Sequence, residues 1–276
     1  FDGLRKLRRQ LKEKHFDLFL DIHKNWRSRY LRLGVGAKKS TTYHKLIFRR
    51  TLLIWFKLNL YRVIKPVYER YFDAVDILKI KYDGQGTEIH LAPRQTAKAH
   101  TCLSEYAYNF KDPLIILCPA ATYLNKRWKP EGFIDTGKYL IKNHAAFIVV
   151  LGGTQDIELC NSIAHAIGKG AVSFAGKLSL TESAALLKHA SVVVANDSGL
   201  LHMAQSQKVP VVGIYGPTTR ELGYFPVNEN STVIEIPLKC RPCTHNGLNK
   251  CPKKHFKCMR DISSQTVIKS VLQYIS

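Results

Sequence analysis

The stretch that decides the fold is residues 191–220, SVVVANDSGLLHMAQSQKVPVVGIYGPTTR. Residues 192–194 form a short, wholly apolar, β-branched run, the pattern of a strand buried on both faces in a parallel sheet. Asn196-Asp197-Ser198-Gly199 follows at once. Asp197 or Ser198 suits a helix N-cap, and the predicted helix carries Leu200, Met203 and Ala204 before Pro210 stops it. Residues 211–215 read as the next apolar strand, with Gly216-Pro217-Thr218 as a tight loop beyond its carboxyl end. Ligands of open α/β sheets sit outside the carboxyl ends of the strands. Two successive strand ends here carry small and polar residues, and one opens into a helix whose free N–H groups suit a phosphate.

The same alternation extends outward. Apolar runs begin near Leu114, Phe147, Ala171, Val192, Val211 and Thr232. Helical patterns separate most of them, which predicts a doubly wound parallel sheet. Ser179 and Glu182 form a capping box ahead of Ala184, Leu186 and Leu187. Gly152-Gly153 closes the second strand, and Asp156 or Glu158 opens the next helix. An acid there is either an acceptor for ribose hydroxyls or a favourable helix-start charge. Ser263 caps a final helix with Val267, Ile268, Val271 and Leu272 on one face.

A chain of 276 residues has room for one large or two ordinary domains. Its hydrophobic fraction of 45% marks it as globular, and no apolar run approaches the ~20 residues of a membrane span. It starts Phe-Asp-Gly without Met or a signal pattern, so a chain cut at its amino end is expected. The formal net charge of +21 leans towards residues 1–110, which hold 23 Lys/Arg against 10 Asp/Glu. Such charge implies an anionic partner: nucleic acid, anionic lipid or a phosphorylated substrate. The seven Cys are an odd number, and Cys102, Cys118 and Cys160 are scattered, a usage that suits a reducing cytosol.

In the first part, Leu4, Leu7 and Leu11 at helical spacing are expected to face a core, as the apolar stripe of a very basic amphipathic helix. Residues 16–22 read as a strand ending in the polar loop His23-Lys24-Asn25-Trp26-Arg27. Residues 38–70 hold nine Lys/Arg, one acid (Glu69) and the apolar run LLIWF at 52–56. That mixture suits an anionic membrane face or a nucleic-acid backbone, or else a helix that packs one face into its own domain. Residues 83–112 are polar, with Pro93 and Pro113 as breakers, and an interdomain linker is expected at about 100–112.

NDSGLLHMA followed by VPVVGIYGPT resembles the donor-binding signature of glycosyltransferase family 9, the bacterial ADP-heptose:lipopolysaccharide heptosyltransferases. The resemblance rests on Asp197, Gly199, His202 and Gly216-Pro217-Thr218 at one fixed spacing. It extends to residues 119–131, PAATYLNKRWKPE, where small residues precede a Lys two places before a Trp; Lys129 between Trp128 and Pro130 departs from the family pattern. The fold implied is α/β, with two Rossmann-like domains facing a cleft (GT-B type) and the first domain incomplete. Residues 1–106 would be a partial acceptor-side domain and 107–262 the nucleotide-sugar domain. Residues 263–276 would be a helix packing back towards the first domain.

The donor residues implied are Thr122, Lys126, Glu158, Asn196, Asp197, Ser198, Gly199, His202, Gly216, Pro217 and Thr218. Lys126, expected to be exposed in the cleft, would neutralise the charge that builds on the departing phosphate. His23, Asn25 and Arg27 are the acceptor-side candidates, or else a solvated loop. Family members open with a strand and a Gly-Asp loop carrying the general base, and this is expected ahead of Phe1. No Asp-X-Asp pair occurs, which fits metal-independent catalysis without a cofactor.

The reaction implied is inverting transfer of a heptose from ADP-heptose to a lipopolysaccharide inner-core sugar. The partners would be an ADP-sugar donor, an anionic glycolipid acceptor and an anionic membrane surface, with no nucleic acid. The implied location is cytoplasmic, peripheral at the inner face of the inner membrane. Another nucleotide sugar is an alternative, as is a non-catalytic basic nucleic-acid-binding protein with a zinc site. Cys240, Cys243, Cys251 and Cys258, with His245 and His255 between them, allow tetrahedral structural zinc, reduced thiols or a disulfide.

Overall fold

The computed structural model describes residues 2–275. The first part contains α1 (Asp2–Lys12), β1 (Leu18–Asp21), α2 (Trp26–Gly34), β2 (Lys39–Thr42), α3 (Ile47–Phe56) and a single turn, α4 (Val67–Arg70). β1 and β2 pair in parallel, with Leu18 opposite Lys39 and Asp21 opposite Thr42. Asp21 is buried at the end of β1, where its Oδ1 accepts from the amides of His23 (3.1 Å) and Lys24 (2.7 Å) and so fixes the turn that follows.

The second part contains α5 (Pro93–Glu105), β3 (Leu114–Cys118), α6 (Pro130–His144), β4 (Phe147–Val150), α7 (Ile157–Ile167), β5 (Ala171–Ser173), α8 (Leu180–Lys188), β6 (Val192–Asn196), α9 (Gly199–Ser206), β7 (Val211–Tyr215), β8 (Ser231–Glu235), α10 (Lys257–Arg260) and α11 (Ser264–Leu272). Its six strands pair in parallel in the order β5-β4-β3-β6-β7-β8. Side chains alternate across each strand, so both faces need cover. Ile115, Leu117 and Val194 pack under α6, α7 and α11, while Leu114, Ile116 and Val193 pack under α5, α8 and α9. That double burial is why the strands read as unbroken apolar runs.

Two expectations are corrected. The chain is helical through Glu105, and Ala99, Cys102 and Leu103 enter the core of the six-stranded sheet. The segment 93–105 therefore packs with the second part, and the linker does not begin at 100. The final helix α11 packs on α6, β7 and β8 rather than towards the first part, because the apolar stripe of Val267 and Val271 completes the core beside α6. Trp128 Nε1 donates to the Ile262 carbonyl at 3.1 Å and ties the approach to α11 into the same layer.

The chain winds outward from β3 to β5 and then returns to β6, so the order reverses between β3 and β6. That reversal opens a crevice at the carboxyl ends of these two strands. Asn196 staples the crevice together: its Nδ2 donates to the Pro119 carbonyl (2.7 Å) and its Oδ1 accepts from the Trp128 amide (3.0 Å). Asn196→Ala would leave two buried backbone groups unsatisfied. It is expected to cost about 2–4 kcal/mol, read as a lower urea midpoint at unchanged slope.

Candidate functional site

The residues around the crevice come from four strand ends. After β3, a 3-10 turn (Leu124–Lys126) presents Lys126. After β6, Asp197 precedes α9. Lys126 Nζ lies 2.7 Å from Asp197 Oδ2, and the two side chains are 12% and 5% exposed. Thr218, beyond β7, donates its hydroxyl to the same Oδ2 at 2.8 Å. Lys126 is thus a largely covered, paired cation, not the exposed one the sequence leads one to expect.

Ser198 is the N-cap of α9, with extended backbone and no side-chain cap bond, and its Oγ is buried without a hydrogen-bond partner among the described residues. Gly199 is exposed, and a Cβ built on it would meet nothing within 4 Å. Packing therefore does not demand glycine there, while open space in front of the amino end of α9 does suit an anion. Thr219 Oγ1 is a second buried hydroxyl without a partner. Sequence reasoning passed over it, because it lies one residue outside the recognised Gly-Pro-Thr motif.

His202 sits one turn further along α9, with Nδ1 3.3 Å from Gln205 Oε1. Burial pushes its pKa down, opposed by Asp197 and the Gln205 bond and assisted by Lys126, so the ring is neutral at pH 7. Glu158 is exposed in the first turn of α7 and Thr122 is exposed on the β3 loop; neither side chain has a hydrogen bond among the described residues. Asp156, the other acidic candidate, accepts from the Gly153 amide (3.1 Å) and faces Arg127 (3.9 Å).

Four predicted ligand residues are committed elsewhere. Asn196 is fully buried in its staple. Gly216, Pro217 and Thr218 are all buried. A Cβ at Gly216 would clash with Met259 Sδ, so that glycine makes room for a side chain of α10. The Pro217 carbonyl accepts from the Cys243 amide (2.9 Å), and Arg241 Nη2 donates to the Thr218 carbonyl (2.8 Å). Arg241 also reaches Glu235 (2.5 Å) and the Ile236 carbonyl (2.8 Å), so it braces the ends of β7 and β8.

On the acceptor side, Asn25 is the N-cap of α2: its Oδ1 accepts from the Ser28 amide (2.8 Å) while its own amide donates to Ser28 Oγ (3.0 Å). Its side chain is therefore structural. His23 is exposed beside it, and the Arg27 guanidinium lies over the Trp26 ring at 5.3 Å. Lys45 Nζ bonds the His23 carbonyl at 3.2 Å.

Across the cleft, Arg50 Nη1 donates to His245 Nε2 at 3.1 Å. Burial, followed by Arg50, Lys45, Lys126 and Arg70, pushes the His245 pKa down to about 4. The cations of both parts thus converge on one imidazole.

All seven cysteines are free thiols. Cys240, Cys251 and Cys258 are near enough to Cys243 to raise its pKa, after burial, to about 12. Among the described residues, however, no group of three or more His, Cys, Asp or Glu side chains is positioned to hold a metal ion.

Two outcomes follow from this geometry. Gly199→Val should leave the urea midpoint within experimental error, since a side chain there meets open space. The folded His245 gains its proton near pH 4 while the unfolded one gains it near 6.5. Stability from this group is therefore complete above pH 6.5 and drains as pH falls towards 4. His245→Gln should flatten the fall in urea midpoint between those values.

A sequence profile described as Glycosyltransferase family 9 (heptosyltransferase) matches residues 4–254. The lipooligosaccharide heptosyltransferase 2 of Campylobacter jejuni is 29% identical over 175 residues, 59% of this chain and 54% of that protein. The aligned part thus spans about half the length of that curated relative. The glycosyl transferase family 9 structure from Veillonella parvula superposes with a TM-score of 0.80 at 23% identity, covering 99% of this chain and 78% of that one. The E. coli ADP-heptose lps heptosyltransferase II superposes with a TM-score of 0.70 at 22% identity, covering 99% and 80%. Both share the fold. With a match over nearly its whole length, this chain belongs to glycosyltransferase family 9.

Proposed function

We propose that the protein transfers a heptose from ADP-heptose to an inner-core sugar of lipopolysaccharide, with inversion and without a metal. The observation that carries this reading is the Lys126–Asp197 pair beside the open amino end of α9, at the point where the strand order reverses. The names of the relatives, lipooligosaccharide and lipopolysaccharide heptosyltransferase 2, support the donor and acceptor class.

As the sugar leaves, negative charge grows on the nucleoside diphosphate. An ammonium has three donors, and Asp197 takes one; the other two would meet the phosphates. The N–H groups at Gly199 and the Ser198 hydroxyl would add preorganised donors. Glu158 would accept from the ribose and Thr122 would donate to a phosphate. Neutral His202 would face the sugar. His23 and Arg27 would line the acceptor side. The general base is assigned to none of the described residues.

The acceptor is a glycolipid, so the enzyme would work at the cytoplasmic face of the inner membrane as a peripheral protein. Among the described residues no helix is long and apolar enough to cross a membrane, and residues 38–70 supply nine basic side chains.

Calorimetry tests the donor reading directly. ADP should bind the folded chain at one site, and a folded chain that does not bind ADP would refute it. Lys126→Ala should lower kcat for transfer by about 10²–10³, or about 2–4 kcal/mol, the scale of one electrostatic donor. It should also lower stability, because Asp197 is left buried without its cation. Normal turnover in that variant would end the assignment of Lys126.

A further inference from the structure

Helix α3 is turned the wrong way round for a helix of a soluble domain. Its residues advance by about 100° each. Phe48 and Trp55, seven residues apart, therefore lie on one line, with Thr51 and Leu52 beside it. That line faces outward: Phe48 is 71% and Trp55 78% exposed, and Phe56 at its edge is 67% exposed. Only Leu53, on the opposite side, is buried. The apolar surface continues past the helix through Leu58 and Leu60, both exposed.

The inner side of α3 fixes this orientation. Arg50 Nη1 is 3.1 Å from His245 Nε2, and Lys57 Nζ donates to the Pro242 carbonyl at 2.6 Å. The helix is pinned to the second part at the cleft, so its aromatic line has no route inward. Arg49 and Arg62 are exposed next to this surface, and neither forms an ion pair or side-chain hydrogen bond among the described residues. Residues 38–70 contain a single acid against nine bases, and that acid, Glu69, already pairs with Lys65 (3.3 Å).

An exposed apolar patch of this kind marks an interaction surface. Aromatic and aliphatic side chains ringed by unneutralised cations are complementary to an anionic bilayer interface, where tails meet phosphates. Nucleic acid is the poorer match, since Leu58 and Leu60 offer nothing for bases to stack on. We infer that α3 is a docking wedge for an anionic lipid surface, with Phe48, Trp55 and Phe56 entering the headgroup boundary and Arg49 and Arg62 meeting lipid phosphates. The inference deepens the peripheral placement proposed above and rests on it. It also says how the cleft is presented: the helix that enters the lipid is the one whose other side holds His245 at the cleft.

The test uses the full chain and vesicles of phosphatidylcholine with about one-third phosphatidylglycerol. Vesicle affinity is measured by co-sedimentation, and Trp55 burial by quenching with brominated lipids in a Trp26→Phe background, where the other tryptophan, Trp128, is buried in the core. The wild type should bind these vesicles and release as salt rises, with Trp55 quenched. The triple variant Phe48→Ser, Trp55→Ser, Phe56→Ser should bind at least tenfold more weakly while keeping its ADP affinity. Should the triple variant fold poorly, quenching of Trp55 in the otherwise native chain decides alone. If wild type and variant bind vesicles equally, or Trp55 is not quenched on bound protein, the wedge is wrong though the peripheral reading stands. If the wild type ignores vesicles at every salt concentration, both fall. A wild-type dimer that the triple variant turns into monomer, with no quenching of Trp55 by lipid, makes the face a self-association surface and overturns the inference. A shift of Trp55 emission by an RNA oligonucleotide but not by vesicles overturns it as well.

Discussion

A carboxylate taken out of water is tolerable only if its charge is met, and Asp197 is where this protein meets that constraint. Its Oδ2 gathers Lys126 from beyond β3 and Thr218 from beyond β7. The requirement spreads from there. Thr218 is held through its carbonyl by Arg241, and Arg241 pairs with Glu235 at the end of β8. Four strand ends are thereby tied into one polar network over a wholly apolar sheet. Such a network is stabilising only when complete, since a half-satisfied buried group costs more than an apolar one.

What could be read in the sequence was whatever depends on local pattern. The six apolar runs become β3 to β8. Ser179 and Glu182 form their reciprocal cap, with the Ser179 amide 2.8 Å from Glu182 Oε2. Ser198 stands at the N-cap position of α9, though its hydroxyl makes no cap bond. The misses all depend on distant partners. Asn196 lies inside the recognised motif, yet its side chain is spent on backbone groups 77 and 68 residues away. Gly216 and Gly199 look alike as motif glycines. One makes room for Met259 and the other faces open space, a distinction that only neighbours in three dimensions can make. Arg241 was hidden as a filler between Cys240 and Cys243.

Orientation was equally hidden in the first part. The leucines of α1 do lie at helical spacing, but the helix buries none of its residues, so they do not enter the core they are expected to face. In residues 38–70 composition alone left three readings open. The direction of the Phe48–Trp55 line bears on one of them, since a helix that packed its whole apolar side into the domain would not leave both aromatics more than two-thirds exposed. Amphipathic pattern says that a helix has two faces. Which face meets the protein is decided by the partners, here His245 and the Pro242 carbonyl.

The same network bears on why a lysine stands at position 126. In the proposed transfer the departing diphosphate would approach Asp197, a like charge in a site of low dielectric, and the approach is unfavourable unless a cation lies between them. A planar guanidinium binds one carboxylate in a fixed fork, whereas an ammonium is a compact charge whose three donors can serve two anions at once. The neighbouring Arg127 illustrates the contrast: its fork is already committed to the Ala121 carbonyl (2.7 Å) and faces Asp156 (3.9 Å). Lys126 sits on a short turn and carries a flexible side chain, so holding it still has an entropic cost of about 2 kcal/mol at most. Asp197 meets that cost before any ligand arrives. In the proposed transfer the ion pair would therefore do more than offset the charge of Asp197: it would set the cation in place ahead of the moment at which negative charge appears.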